Sequence, residues 1–390
     1  MHLLNVTREN KSDTRYGIRK SLIPVVDSLK EKGHRVEIFD QQKAANIKMN
    51  QLEIWLKKIC LNGMKKKFGN AGIMAGHIIS ERVSVGWKAA KYAAKNNISH
   101  VHCHDPLLAY FYQLSSKIYR STKCFGYKIT AFGQFVKPRL GIRIDKKALQ
   151  FLQNLEEKAE RKAKWVILTT NSGMKQMQKD LKKETIPEHW HLVPNPVTVE
   201  LYDRNLVRKK LGIAKDEKLL VAVGQLIPLK RFDLLLHSVS LVPSSHRPRI
   251  ILLGDGPEEQ NLNSLSVKLK IENNFEIKTT DNIGEYLSAA DIYVSVSSTE
   301  SFGLANCEAV LAGVPSICTN VGAVSELLGD AVILINDDKH IIAQQIRNLL
   351  ASKELRSKLK KRSKSITAKW LDSDTIAKKM EDIFVSCKAN

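Results

Sequence analysis

Short apolar runs alternate with longer amphipathic stretches along the whole chain. Each run is rich in β-branched residues, and each is followed by a turn and by a helical pattern of apolar positions. Six runs lie in the first half, at residues 2–6, 35–39, 98–103, 125–131, 165–169 and 191–193. Six more lie in the second half, at residues 219–223, 249–253, 275–278, 292–296, 315–319 and 331–335. Strands that alternate with helices in this way are typical of βαβ units and parallel sheets.

The two series of strands predict an α/β protein with two doubly wound, Rossmann-like domains. Prolines are concentrated in residues 185–200, between the two series, and this predicts an interdomain linker. We therefore expect one domain at residues 1–190, a second at 191–370, and a C-terminal helix at 371–390 that crosses back to the first. Because ligands bind outside the carboxyl ends of parallel strands, the two sheets are expected to face each other across a cleft.

The positive charge is concentrated in the first half of the chain. The protein has 62 Lys and Arg residues against 40 Asp and Glu, a formal net charge of +22. Residues 1–200 carry +19 of this excess, and residues 41–150 alone carry +16. Such an imbalance indicates that one domain faces an anionic partner, which could be nucleic acid, anionic lipid or a phosphorylated substrate. The alternative is that the lysines only keep the surface soluble. No RNA-binding pattern is present, so no nucleic acid is expected.

Two basic clusters stand out within this region. The first interleaves lysines with apolar residues over residues 54–68 and consists of Lys57, Lys58, Lys65, Lys66 and Lys67. It favours a helix or loop lying in an anionic membrane interface, and the alternative is a core helix with a lysine-rich outer face. The second could grip an anionic acceptor and consists of Lys137, Arg139, Arg143, Lys146 and Lys147.

Cysteine spacing and hydropathy indicate the compartment. The six cysteines are scattered without a CxxC pair, which predicts a reducing environment without a disulfide framework or a structural zinc site. The start of the chain lacks a signal-peptide pattern, and no apolar run reaches the ~18 residues of a spanning helix. We expect a cytoplasmic protein, peripheral on the inner face of the membrane. His100, His102 and His104 share one strand face and could bind a metal, but no metal site is expected.

The segment from Glu300 to Glu308 carries the most informative chemistry. Gly303, having no Cβ, would let the backbone approach a ligand closely. The N–H groups near Phe302, Gly303 and Leu304 would be unpaired donors at a helix N-terminus, where phosphate binds readily. Glu308 lies about a turn into that helix and could accept hydrogen bonds from a ribose. A phosphate site beside two carboxylates suits a nucleotide-sugar donor. The alternative is that Glu300 caps the helix and Glu308 forms a surface pair.

This segment, with its Phe-Gly-Leu core and the following Glu-Ala-x-x-Ala-Gly-Val-Pro, resembles the E-x7-E signature of retaining glycosyltransferases of family four, which have the GT-B fold. The likeness is strong over residues 190–345 and weaker over the first half. The other matching segments, in family order, are Gly33-His34-Arg35-Val36, His102-Cys103-His104-Asp105, Pro194-Asn195-Pro196-Val197, Gly224-Gln225-Leu226 with Lys230, Gly254-Asp255-Gly256-Pro257, Ala290-Asp291 and Gly322 to Glu326.

The resemblance implies roles for individual residues. Glu300 would contact the transferred sugar and Lys230 the diphosphate, as the catalytic pair, while Glu308 would bind the donor ribose. The other implied donor-binding residues are Phe302, Gly303, Leu304, Gln225, Arg231 and Gly17. The acceptor-side candidates are His104, Asp105, Phe132 and Gly133.

Two positions depart from the family pattern. The family usually has Arg at the place of Gln225, and glutamine cannot neutralise phosphate charge, although the adjacent Arg231 could compensate. Many members have His at the place of Phe132, which cannot exchange protons.

These features predict a retaining glycosyltransferase that transfers a sugar from a nucleotide-diphosphate sugar, with UDP favoured. The acceptor would be a saccharide or lipid-linked molecule in cell-surface polysaccharide or lipopolysaccharide synthesis. The nucleotide sugar is the substrate, and no cofactor is expected. Two alternatives remain in the same fold. One is a nucleotide-sugar 2-epimerase, and the other is a catalytically weak or inactive membrane-associated binding protein, for which Gln225 and Phe132 are the support.

Overall fold

The computed structural model describes residues 1–9, 18–48, 50–129 and 146–387. The chain forms two compact units that divide after Pro196. The second unit is Val197–Trp370, and the chain from Leu371 onward returns to the first unit.

Within the described ranges, twelve strands form, and each coincides with a predicted apolar run to within two residues. The strands of the first unit are β1 His2–Val6, β2 Arg35–Phe39, β3 His100–Cys103, β4 Phe125–Ile129, β5 Val166–Leu168 and β6 Trp190–Leu192. Those of the second unit are β7 Leu219–Val223, β8 Arg249–Leu253, β9 Phe275–Lys278, β10 Ile292–Ser295, β11 Ser316–Thr319 and β12 Val332–Ile335. The predicted α/β class is confirmed.

Helices connect the strands. In the first unit they are α1 Ile18–Glu31, α2 Gln41–Ala45, α3 Gln51–Lys95, α4 Pro106–Tyr119, α5 Lys146–Glu160 and α6 Asn171–Asp180. In the second unit they are α7 Arg204–Lys210, α8 Phe232–Ser240, α9 Glu259–Lys268, α10 Ile283–Ala289, α11 Leu304–Leu311, α12 Val324–Leu328, α13 Lys339–Ala351 and α14 Lys353–Thr367, and α15 Ser373–Val385 follows on the returning chain. The long helix α3 kinks at Gly69, whose φ of 60° and ψ of −148° are not helical. No helix in the described part of the chain is long and apolar enough to cross a membrane.

Both sheets are parallel, and each has a point where the strand order reverses. The first sheet has the order β2-β1-β3-β4-β5-β6, so its reversal lies between β1 and β3. The second has the order β12-β11-β10-β7-β8-β9, so its reversal lies between β7 and β10. In open α/β sheets, ligands bind at such switch points, outside the carboxyl ends of the strands.

Apolar clusters cover both faces of each sheet. Every residue of β7 is buried, which explains why parallel strands of this kind are encoded as continuous apolar runs rather than alternating ones. In the first sheet, Val101 and Tyr127 pack into the cluster on one face, while Leu3 and Trp165 pack into the cluster on the other. In the second sheet, alternate residues of β7 likewise enter two different clusters.

The returning helix α15 completes the core of the first unit. Phe384 is fully buried, and its ring centroid lies 5.0 Å from that of Trp165. Cys387, just beyond the helix, forms a disulfide bond with Cys124, and their Cα atoms are 6.2 Å apart. The expectation of a chain without disulfides is therefore wrong for this pair. Their sequence separation of 263 residues shows why spacing could not reveal it, since only the return of the chain brings them together.

Candidate active site

The predicted donor residues of the second unit gather at its switch point. β7 is followed by the turn that leads to Lys230, and β10 is followed by the segment that contains Glu300. Because β7 and β10 are neighbours in the sheet, their carboxyl ends lie side by side. A hydrogen bond from the Ser298 amide to the Leu229 carbonyl, at 2.9 Å, joins the two segments directly.

Lys230 and Glu300 form an ion pair at this edge. The Lys230 Nζ donates to the Glu300 Oε1 at 2.6 Å. The side chains are 24% and 10% exposed, so the pair is partly shielded from water yet open to solvent on one side. Charge-assisted hydrogen bonds of this kind are short and strong. The structure thus brings together the two residues that the sequence predicted as the catalytic pair.

Two glycines give these side chains their positions. A Cβ at Gly224 would lie 3.3 Å from the Cδ and Cε atoms of Lys230, so the glycine allows the lysine stem to cross the turn closely. Gly322 has a φ of 57°, and a Cβ there would lie only 1.7 Å from the carbonyl oxygen of Glu300. Since no side chain fits in that space, Gly322 determines where the Glu300 backbone lies.

Helix α11 begins at Leu304, four residues after Glu300. Gly303 precedes the helix in a left-handed conformation, with a φ of 71°. Phe302 is buried in the core and anchors this turn. The first N–H groups of a helix have no partner within it, so they can bind an anion.

The first turns of α11 are built around buried polar groups. Glu308 is only 3% exposed. The Tyr293 hydroxyl donates to the Asn306 Oδ1 at 2.8 Å and fixes that side chain beneath the turn. Burial, together with the charge of Glu308, raises the pKa of the Cys307 thiol well above its usual value, so this thiol stays neutral.

The remaining donor-binding candidates have different surroundings. Gln225 is exposed on the turn after β7. The Arg231 guanidinium forms an ion pair with the Asp337 carboxylate, which follows β12, so its charge is already compensated. Gly17 lies outside the described residues.

Two of the acceptor-side candidates, His104 and Asp105, lie at the carboxyl end of β3. Asp105 caps α4 by accepting from the amides of Leu107 and Leu108, and it also accepts from the Arg82 Nε at 3.0 Å. Burial raises the pKa of Asp105, but the Arg82 and Arg8 charges outweigh burial and lower it. The carboxylate is therefore occupied by structural contacts. Phe132 and Gly133, with the basic residues Lys137, Arg139 and Arg143, lie outside the described residues.

His104 has a different environment from Asp105. Its Nε2 lies 3.2 Å from the Asn5 Oδ1, an atom that can only accept, so Nε2 carries the proton. Burial, reinforced by the charge of Lys128, lowers the pKa of His104 to about 3, so its ring is neutral at physiological pH. The neighbouring His102 accepts from the Trp165 Nε1 at 3.0 Å. Across the described ranges, no group of three or more His, Cys, Asp or Glu side chains is arranged to hold a metal.

Sequence reasoning missed Asn5, which accepts from the His104 Nε2, and Lys128, whose charge lowers the pKa of His104. One signal was available, because Lys128 is the only charged residue in the apolar run 125–131.

The second unit matches a known family. Residues 203–366 match the model of the family described as glycosyl transferases group 1. The chain is also similar to the N-acetyl-alpha-D-glucosaminyl L-malate synthase of Bacillus anthracis, with 30% identity over 186 residues. This alignment covers 47% of the chain and 49% of that relative, so the chain spans about half the length of the relative it matches.

Solved structures extend the similarity to both units. WaaG, a glycosyltransferase involved in lipopolysaccharide biosynthesis, superposes with a TM-score of 0.71 and 16% sequence identity. The superposition covers 99% of this chain and 100% of the WaaG chain. The Anabaena protein HepE, solved in complex with UDP-glucose, superposes with a TM-score of 0.69 and 17% sequence identity. The superposition covers 99% of this chain and 100% of the HepE chain. At these identities the comparison establishes the fold, which is GT-B with two Rossmann-like domains.

Proposed function

We propose that the protein is a retaining glycosyltransferase of family four that transfers a sugar from a UDP-sugar to an acceptor hydroxyl. The observation that carries this proposal is the Lys230–Glu300 ion pair at the switch point of the second sheet. The group 1 match over residues 203–366 covers both residues and supports the assignment.

The geometry suggests how the donor is bound and activated. The diphosphate would lie at the N-terminus of α11, with Lys230 as its cation. Glu300 would contact the sugar hydroxyls, and Glu308 would accept from the ribose hydroxyls. As the bond between the anomeric carbon and the diphosphate oxygen breaks, negative charge grows on the leaving group, and Lys230 would stabilise it. The acceptor oxygen would bond to the same face of the anomeric carbon, and its proton would pass to the leaving phosphate.

The relatives support the proposed donor and acceptor classes. HepE was solved with UDP-glucose, which supports a UDP-sugar as the donor. WaaG takes part in lipopolysaccharide biosynthesis, which supports a saccharide or lipid-linked acceptor. The name of the Bacillus anthracis relative includes L-malate, a small dicarboxylate, so an anionic acceptor is also compatible with this group.

We further propose that the first segment of α3 docks the enzyme on an anionic membrane at its cytoplasmic face. Leu52, Trp55 and Ile59 form an exposed apolar stripe at helical spacing, and the Trp55 side chain is 56% exposed. Glu53 is the only acidic residue between 51 and 68, and it is buried where the Ser84 hydroxyl donates to it. An exposed tryptophan beside lysines favours interfacial binding over a core helix with a basic outer face.

Nucleotide binding tests the donor site. Replacing Glu308 by Gln removes a charged acceptor while keeping its shape, and hydrogen bonds to charged groups contribute ~1.5–3 kcal/mol. We expect UDP affinity, measured by calorimetry, to fall at least tenfold. Glu259→Gln, at an exposed position of α9, is the matched control and should bind UDP normally. Equal UDP affinity in both variants would remove Glu308 from the site.

Turnover separates an enzyme from an inactive binding protein. Lys230→Met should bind UDP more weakly and lose nearly all glycosyl transfer and donor hydrolysis, because the leaving group loses its cation. A wild-type protein that binds UDP but turns over no donor in a panel of UDP-sugars would instead favour the binding protein.

A further inference from the structure

A buried asparagine lies beneath the N-terminus of α11, where we place the donor diphosphate. Gly303 immediately precedes the helix, so Asn306 is the third helical residue. The Asn306 side chain belongs to a residue that is only 2% exposed. A Cβ at Gly303 would lie 3.1 Å from the Asn306 Nδ2, so the amide nitrogen packs directly against the residue before the helix. Asn306 is therefore part of the turn that would hold the phosphate.

The strand β10 fixes the orientation of this amide. The Tyr293 hydroxyl donates to the Asn306 Oδ1 at 2.8 Å, and Tyr293 is fully buried. Burial raises the pKa of Tyr293 well above its usual value, so the hydroxyl keeps the proton that it donates. The carbonyl end of the amide is thus held towards the sheet, and the NH2 end is turned towards Gly303.

This orientation is the reverse of ordinary helix capping. An acceptor side chain at the third helical position normally reaches back to the N–H of the residue before the helix and satisfies it. In α11 the Asn306 acceptor is occupied by Tyr293. The Asn306 Nδ2 has no hydrogen-bond partner in the part of the chain that the structure describes. The N-terminus of α11 therefore carries an additional unpaired donor in place of an acceptor.

Several unpaired donors at one point are unfavourable unless an anion binds there. The first N–H groups of a helix carry partial positive charge, and the NH2 group of Asn306 adds to it. Buried polar groups are nearly always paired, so a buried donor that is left unpaired at a helix N-terminus indicates a ligand.

We propose that Asn306, held by Tyr293, is a positioning residue of the donor site that favours a diphosphate over an uncharged ligand. The inference rests on the proposed function, because the anion is the diphosphate of the UDP-sugar. Asn306 acts through the Gly303 turn. Its NH2 group keeps an acceptor away from the helix N–H groups, so these groups stay available to phosphate oxygens. Without the Tyr293 hydroxyl, the amide would be free to turn over and cap the helix itself.

Exchange of one terminal group tests this role. Asn306→Asp keeps the side-chain shape and the acceptor for Tyr293, but it replaces the NH2 donor with a negative oxygen. We expect the UDP affinity of the full-length protein, measured by calorimetry at pH 8, to fall at least tenfold. Uridine affinity, measured by competition, should stay close to that of the wild type, because uridine lacks the diphosphate. Asn348→Asp adds the same charge at an exposed position of α13 and should bind both ligands normally.

The pH dependence provides a readout that a purely structural role would not change. Above its pKa the new carboxylate repels the diphosphate, and below its pKa the neutral carboxyl group again offers a donor. The difference in UDP affinity between the wild type and Asn306→Asp should therefore shrink from pH 8 to pH 5. Tyr293→Phe should weaken UDP binding several-fold at both pH values, because the amide is no longer held.

A second variant keeps the proposal testable if Asn306→Asp does not fold. Tyr293→Phe combined with Asn306→Leu removes both buried polar partners, a change that is often nearly neutral for stability. This double variant should still bind UDP several-fold more weakly than the wild type, because the NH2 group is gone.

The outcomes separate this inference from the proposed function. Wild-type UDP affinity in the variants, or parallel losses of UDP and uridine affinity, would overturn the role of Asn306 while the proposed function stands. A wild-type protein that does not bind UDP would refute the proposed donor and this inference together.

Discussion

Glu37 on β2 illustrates how individual side chains determine the acid stability of the first unit. It accepts from the Tyr92 hydroxyl at 2.6 Å and lies 2.9 Å from the His2 Nε2. Burial raises the pKa of Glu37, but these hydrogen bonds and the charge of Lys43 outweigh burial and lower it to about 2. The hydrogen bond between the Tyr92 hydroxyl and Glu37 also raises the pKa of Tyr92 to about 12. The carboxylate therefore stabilises the folded state only while it is ionised.

This pKa shift predicts how stability depends on pH. A carboxyl group with a lowered folded-state pKa contributes its full stabilisation above its unfolded value of 4.5 and loses it as the pH falls towards 2. The wild type should therefore exceed Glu37→Gln in urea midpoint at pH 6, and the difference should shrink between pH 4.5 and 2. Glu31→Gln, on the exposed end of α1, is the matched control and should keep the urea midpoint of the wild type at pH 6. A difference between wild type and Glu37→Gln that is constant with pH would contradict the assignment.

At the scale of elements, the turn between β11 and α12 controls the position of Glu300. Gly322 and Gly212 both have positive φ, at 57° and 63°, but only Gly322 faces an obstacle, since nothing lies within 4 Å of a Cβ at Gly212. Substituting Ala at Gly212 therefore tests backbone strain alone, whereas substituting Ala at Gly322 tests backbone strain together with a steric clash.

The corresponding substitutions should differ in both stability and activity. Gly212→Ala should cost ~1–2 kcal/mol, the penalty for a left-handed non-glycine residue. Gly322→Ala should cost more in chemical denaturation and should also reduce kcat, because the new Cβ displaces the Glu300 backbone. Equal losses of stability with unchanged kcat would show that the turn tolerates the clash without moving Glu300.

At the scale of the whole molecule, the chain's return to the first unit should contribute strongly to its stability. Phe384→Ala should cost ~3–5 kcal/mol, because it leaves a cavity against Trp165 and His102. Val385→Ala, at a neighbouring position that is 58% exposed, should cost little. Urea denaturation of both variants measures the difference, and similar midpoints would mean that α15 is not part of the cooperative core.

The uneven charge makes the proposed membrane docking testable. Each basic side chain near an anionic surface contributes ~1 kcal/mol, and the field decays within a Debye length of ~8 Å at physiological salt. Sedimentation with anionic vesicles should be strong at low salt and weaken as salt rises, while neutral vesicles should bind poorly.

Charge reversal locates the docking surface. Lys65 and Lys66 changed together to Glu should reduce vesicle binding and leave donor hydrolysis intact. The control reverses Lys358 and Lys361, which are exposed on α14 of the second unit. Equal sedimentation with neutral and anionic vesicles, or equal loss in both double variants, would reject docking through α3.

The sequence by itself determined the α/β class, the two series of strands and the ends of nearly every strand. It succeeded because buried parallel strands are continuous apolar runs, and because turns are marked by residues adjacent in the chain. The segment from Glu300 to Glu308 was recognisable for the same reason, since its residues act within one local stretch.

The tertiary structure alone decided which distant side chains meet. Strand order brought Lys230 to Glu300 across 70 residues, paired Arg231 with Asp337, and placed His104 against Asn5. The return of α15 joined Cys124 to Cys387. Local patterns cannot predict such contacts, because they depend on which strands become neighbours, and this is determined by the packing of the whole domain rather than by the residues of any one segment.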